Sequence, residues 1–304
     1  MRRRSTLTPF DGLLFLMVLI WGGNFSVVKA ALAYIPHQPF NAIRLVIASG
    51  VYLAAIAYKG WPRLSRRDWT VFLGVAFIGH FVYQICFLGG LSLTTASNSS
   101  LILGCSPVAV ALASAIAGHE KVSRGQWIGA GLSVVGIYLV VGVGADFGGA
   151  SLLGDFVTLG AVVCWAVYTV AARSLLERFT PLVVTGLTMA LGSAMYVPTA
   201  AVGLARLDVA AIPWWVWMTV VFSSVLALNV AYLIWYTSVQ RIGNVRTSIY
   251  SNLTPLIAVT VAAIFLGERV TATTIGGAAA ILAGVFVTRS AAGHQAAAGP
   301  PAEE

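Results

Sequence analysis

Apolar runs of about twenty residues alternate with short polar connections along almost the whole chain, the length a helix needs to cross a hydrocarbon layer of ~30 Å. Ten such runs are predicted, at 12–30, 39–58, 70–91, 96–117, 125–142, 153–175, 181–203, 213–238, 244–266 and 272–288. The expected fold class is therefore an all-α membrane protein with ten transmembrane helices, and the connections are too short to hold a soluble domain. Residues 1–11 read as a polar N-terminus. The run after them is as long as a span and lacks a small-x-small cleavage site, so it is read as a retained first helix and not as a signal peptide. Residues 290–304 are small, polar and proline-containing, and are expected to form a disordered tail.

The pattern also repeats. The stretch Ala96–Ile137 recurs 148 positions later as Asn244–Val285. In each copy a proline interrupts an apolar run (Pro107, Pro255), and a Glu-basic-Val-hydroxyl turn follows it (Glu120-Lys121-Val122-Ser123, Glu268-Arg269-Val270-Thr271). Gly129 and Gly136 return as Gly277 and Gly284. The front parts align at a shift of 144, which pairs Asp11 with Asp155, Trp21 with Trp165 and Lys29 with Arg173. The chain thus reads as two five-span units, 12–142 and 153–288. Because five is odd, the second must cross the membrane in the opposite sense, and inverted repeats of this kind belong to transporters with a site near the midplane.

Composition strengthens the membrane reading: 59% of residues are apolar, only 9% are charged, and the mean hydropathy is +0.88. Cys86, Cys105 and Cys164 all lie in apolar runs, so no disulfide framework and no Cys/His metal spacing is available. The net charge of +8 is scattered between the runs and does not form a patch for nucleic acid. Basic residues collect on the cytoplasmic side of membranes. With ten spans and both termini inside, Lys29, Arg206 and Arg269 fall outside, Arg44 falls within the second span, and the other Lys and Arg fall inside.

The segment Trp21–Lys29 (WGGNFSVVK), Arg44 within NAIRLVIASG, the run Leu93–Val108 (LTTASNSSLILGCSPV), the turns at Glu120 and Glu268 and the duplicated unit together resemble the drug/metabolite transporter superfamily, in its ten-span branch with two EamA-type repeats. The likeness covers residues 11–289. It implies a secondary carrier of the bacterial inner membrane, without cofactor or metal and expected as a monomer, that alternates between inward- and outward-open states and often exports amino acids or other small metabolites. In that family spans 3, 4, 8 and 9, with parts of 1 and 6, surround the cavity. The aromatic amino acid exporters are the nearest likeness.

Polar groups inside a span cost free energy unless they meet a cavity or a partner, which makes them the site candidates. Trp21 and Asn24 share one face of the first span, with Trp165 in the symmetry-related place. Tyr83 and Gln84 lie in the third span with His80. Asn229, Tyr232 and Tyr236 form a stripe in the eighth, Gln84 aligning with Tyr232. A polar-tipped aromatic stripe suits a pocket for an amphipathic solute; a hydrogen-bonded helix interface is the competing reading. Asn98 and Asn252 precede Pro107 and Pro255, whose missing amides leave the carbonyls of Leu103 and Ser251 without their usual donors. Either Ser106 or Thr254 heals the kink, or it serves as a gate that exposes the two asparagines to substrate. Arg44 is the lone formal charge well inside a span, where insertion at the centre costs ~2.5–3.5 kcal/mol. It either grips a substrate carboxylate or snorkels or bonds carbonyls between helices, and structural duty is favoured. Glu120 and Glu268 read as helix caps or loop locks.

None of the ten acidic residues is mid-span, and a packed neutral His80 is the expectation, so transport is expected without proton coupling. An enzyme at membrane depth needs a nucleophile-base pair, paired carboxylates or a metal cluster, and the sequence offers none. The alternatives are a proton-coupled multidrug or other metabolite exporter and a channel-like facilitator.

Overall fold

Helix follows helix through the computed structural model, which describes residues 9–117, 124–139, 149–251 and 253–298. The first half comprises α1 (Pro9–Ala31), α2 (His37–Lys59), α3 (Arg66–Leu93), the broken pair α4 (Ala96–Leu103) and α5 (Ser106–Ile116), and α6 (Arg124–Tyr138). The second comprises α7 (Gly149–Leu176), α8 (Pro181–Ala205), α9 (Trp214–Val221, continuing through Phe222–Val230 into Ala231–Ser251), α10 (Thr254–Phe265) and α11 (Ala272–Ala298). Among the described residues, α1, α2, α3, α7, α8 and α9 are long and apolar enough to cross a membrane, while Trp127–Tyr138, Thr254–Phe265 and Ala272–Val287 are shorter apolar helices. Outward-facing Phe15, Leu16 and Leu19 on α1 are exposed, as a lipid-facing surface requires.

Three boundaries differ from the sequence expectation. The run 96–117 is two helices, interrupted at Gly104 and Cys105. Pro107 is the second residue of α5, where its missing amide costs nothing because first-turn amides have no helical partner. The Leu103 carbonyl that it strands accepts instead from Ser106 Oγ at 2.6 Å. In the second copy the helix runs unbroken through 239–243, where a connection between spans was expected, and stops after Ser251. Pro255 again falls in the first turn of the next helix, α10. Thr254 Oγ1 is buried without a partner, so of the two hydroxyls only that of Ser106 heals its break. The two interruptions touch: a Cβ on Gly104 would stand 2.8 Å from Pro255 Cγ. The third difference is at the C-terminus, where α11 extends through residues 290–298, an alanine-rich stretch of high helix propensity.

α2 lies against α8 and α6 against α11, while α1 packs on α9 and α10, and α7 on α3, α4 and α5. The recurring glycines make the α6–α11 crossing close: a Cβ on Gly136 would meet Ile281 N at 2.7 Å and Gly277 O at 2.8 Å, and one on Gly284 would meet Ser133 N at 2.7 Å. Small residues at such crossings let backbones approach where no hydrophobic force drives helices together. α3 and α9 each contain a π-helical segment, Phe77–Val82 and Phe222–Val230, and the 148-residue shift lays the first inside the second. π-segments misalign the backbone ladder and concentrate at functional sites.

Candidate functional site

Both π-segments and the indole-bearing helices α1 and α7 converge on one aromatic cluster. Trp21 of α1 meets Trp165 of α7 edge-on at a centroid distance of 6.1 Å, and both meet Tyr232 of α9 at 5.7 Å. Tyr83 lies 5.5 Å from Trp165, and Tyr236 packs beside Tyr232 at 6.4 Å. Edge-to-face geometry of this kind adds about 0.5–1.5 kcal/mol per pair beyond burial. Tyr83, Tyr232 and Tyr236 are buried, whereas Trp21 and Trp165 stay partly exposed. Trp21 and Trp165 are therefore more exposed than the tyrosines they pack against. Trp165 packs against both large apolar cores of the molecule, each of which draws residues from both halves of the chain.

A polar network backs the rings. Asn24 Oδ1 accepts from Ser223 Oγ at 2.7 Å, and Ser223 Oγ accepts from Arg44 Nη1 at 2.8 Å. Arg44 Nη2 donates to Gln84 Oε1 at 3.1 Å. The chain crosses α1, α9, α2 and α3, and every member is buried. The π-segment of α9 supplies both Ser223 and backbone acceptors: Trp21 Nε1 donates to the Ala227 carbonyl at 3.1 Å, and the Tyr52 hydroxyl spans the carbonyls of Leu228 and Asn229 at 3.1 and 2.9 Å. Asn229 donates to the Ala48 carbonyl, so its amide staples α9 to α2. His80 Nε2 lies 3.2 Å from the Tyr168 hydroxyl.

Of the sequence candidates, Trp21, Asn24, Tyr83, Gln84, Trp165, Tyr232 and Tyr236 come together here with Arg44. Asn98 does not; its amide points to Asp155 Oδ2 at 3.4 Å, at one end of the bundle. Glu120 and Asn252 lie outside the described residues. Ser223, Tyr168 and Trp235 were not among the candidates. Trp235 packs tilted against Trp21, with centroids 5.7 Å apart. The available signal was the Ser223-Ser224 pair inside an apolar run, and Tyr168 one helical turn after Trp165.

Asn98 belongs to a second polar cluster that fixes the α3–α4 corner. Lys29 Nζ donates to the carbonyls of Leu91, Ser92 and Thr94 at the C-terminal end of α3, where a cation is favoured. The carboxylate of Glu268 accepts from the amides of Ala96 and Ser97 at 2.8 and 3.0 Å, in the first turn of α4. Asp155 accepts from the Thr94 hydroxyl at 2.6 Å. Of the two readings offered, cap or loop lock, the contacts of Glu268 are those of a cap, on a helix in the other half of the chain and not on the span that follows it. Glu268→Ala is expected to cost about 1 kcal/mol of stability, the usual worth of an N-terminal cap, and to raise deuterium uptake selectively across residues 96–100; unchanged uptake there counts against the capping role.

A family model described as EamA-like transporter family matches residues 9–142 and 152–290. An uncharacterized transporter of Archaeoglobus fulgidus is 30% identical, with 93% of this chain and 98% of its own length covered. A protein of Streptantibioticus cattleyicolor described as a probable terminal-alkyne amino-acid exporter is 25% identical over 95% of this chain and 96% of its own. A solved crystal structure superposes with a TM-score of 0.67 at 19% identity, covering 93% of this chain and 99% of that one, which establishes a shared fold. With apolar helices of membrane length and a family match across both halves, this integral membrane protein belongs to the EamA-like transporter family, a family of transporters and not of enzymes.

Proposed function

We propose that the protein is a secondary transporter that exports or exchanges small metabolites, foremost amino acids with aromatic or other apolar side chains, by alternating access and without proton coupling. The observation that carries this is the convergence of Trp21, Tyr83, Trp165 and Tyr232, drawn from both halves of the chain, on one aromatic cluster backed by polar groups. Rings bury an apolar body while the amides and hydroxyls behind them orient a polar end. The relative described as an amino-acid exporter supports the same substrate class. Ten spans in two inverted repeats, both termini in the cytoplasm, a bacterial inner membrane and a monomeric carrier complete the proposal. Alternation then consists of the two halves rocking about the cluster, with the touching breaks at Gly104 and Pro255 as the natural hinge. Among the described residues no carboxylate lines the cluster, which favours the uncoupled form.

The test is counterflow in proteoliposomes of labelled phenylalanine, threonine, glutamate, uridine and a quaternary ammonium drug, with and without a pH gradient. Phenylalanine counterflow that ignores the gradient and falls about tenfold or more in Tyr232→Ala and Gln84→Ala, the loss of one buried contact or hydrogen bond, is the expected result. Drug flux that follows the gradient would place His80 or Asp155 in a proton path and replace this reading with a coupled multidrug exporter. Flux without saturation or trans-stimulation would make the protein a channel.

A further inference from the structure

Arg44 is among the largest fully buried side chains of the described residues, 1% exposed, and its surroundings are neutral. Nη1 donates to Ser223 Oγ and Nη2 to Gln84 Oε1, the guanidinium carbon lies 6.0 Å from the Phe40 ring centroid, and Nε has no partner. The ionisable groups that face it are the phenols of Tyr232, Tyr83 and Tyr196. Among the described residues the ion pairs are Arg173–Glu177 and Arg178–Asp68, and neither includes it. The carboxylates of Asp155 and Glu268 are occupied at the α3–α4 corner. A guanidinium that keeps its proton, buried among neutral partners with one N–H unsatisfied, has the chemistry of an anion-binding group.

Gln84 adds a second unsatisfied donor. Arg44 has no acceptor, so the Gln84 oxygen must face it, and the Nε2 amino group, also buried without a partner, points away from the guanidinium. The neighbouring Tyr83 leads directly onto the aromatic cluster through Trp165. The structural role that the sequence favoured for Arg44 accounts for its two Nη bonds but leaves Nε and the net charge unexplained.

We propose that Arg44, with Gln84, is the carboxylate subsite of the transport pathway, and that the substrate class is monocarboxylates carrying an apolar or aromatic body, in which the α-ammonium group is dispensable. This rests on the transport reading above and narrows it. No carboxylate among the described residues stands ready for an ammonium group, so the acid end supplies recognition and the rings hold the remainder. Arylalkanoates are therefore ligands alongside amino acids.

The decisive series is thermal stabilisation of the full-length purified protein by phenylalanine, 3-phenylpropionate, phenylalaninamide and 2-phenylethylamine, repeated for Arg44→Gln and Arg44→Lys, with counterflow of the same solutes. The two carboxylates are expected to stabilise the wild type with comparable affinity and the two amines not at all. Arg44→Gln is expected to weaken the carboxylates by about tenfold or more, as loss of a charge-assisted contact implies, with Arg44→Lys intermediate. Stabilisation by the amines, a requirement for the ammonium group, no stabilisation by either carboxylate, or full carboxylate affinity in folded Arg44→Gln would each overturn the subsite. If Arg44→Gln does not fold, the wild-type series decides alone. The transport reading fails separately: carboxylate-specific stabilisation with no counterflow removes the carrier and keeps the subsite, whereas amino acid counterflow indifferent to the carboxylate does the reverse.

Discussion

Trp165→Ala is expected to produce the largest loss of function of any single ring deletion. Its indole touches Trp21, Tyr83, Tyr168, Tyr232 and Trp235, all within 6.3 Å between centroids, and it packs on both large apolar cores. Truncating it removes five ring contacts and leaves a space that the surrounding helices, pinned by the Tyr52 and Trp21 bonds to the π-segment of α9, cannot collapse to fill. Trp→Ala in a core costs about 3–5 kcal/mol, and because Trp165 is partly exposed the lower end applies. A thermal melt in detergent reads the stability, and counterflow reads the function. Trp165→Phe should recover most of the stability and part of the flux. If Trp165→Ala transports phenylalanine at the wild-type rate, the cluster is a packing core and the substrate passes elsewhere.

The second large effect concerns architecture. Gly136→Val places a branched side chain against the backbone of α11, whose Ile281 amide and Gly277 carbonyl already lie 2.7 and 2.8 Å from the position of a Cβ. Overpacking relieved by a rotamer change costs about 1–3 kcal/mol. Here the obstacle is backbone, so the two helices must separate along their length, and a loss above that range is expected, read as a lowered melting temperature and reduced yield. Gly131→Val, on the same helix with nothing within 4 Å of its Cβ position, is the control and should behave as wild type. Equal behaviour of the two variants would mean that the α6–α11 crossing is looser than described.

Much of this was legible in the chain because it is local or periodic. The length of each apolar run, the helical class, the recurrence of proline, glutamate and glycines at one shift, and the placing of Trp21, Gln84 and Tyr232 among the site candidates all follow from windows of a few turns, over which burial preference and helix geometry sum. The recurring glycines marked the repeat, whereas the close α6–α11 crossing that they make is visible only in the fold. Other features depended on contacts that no window contains. Arg44 reaches Ser223 across 179 positions and Ser223 reaches Asn24 across 199, so the polar network was invisible as a network. Periodicity does not register a π-segment, which shifts the ladder by one residue without altering composition. A proline in an apolar run reads as a kink or as the start of a new helix, and only the neighbouring helix against each break selects between them. Glu268 shows the limit most plainly. Its local setting names it a cap, but a carboxylate goes to whichever helix terminus the fold brings within reach, and here that is α4, some 170 residues earlier in the chain.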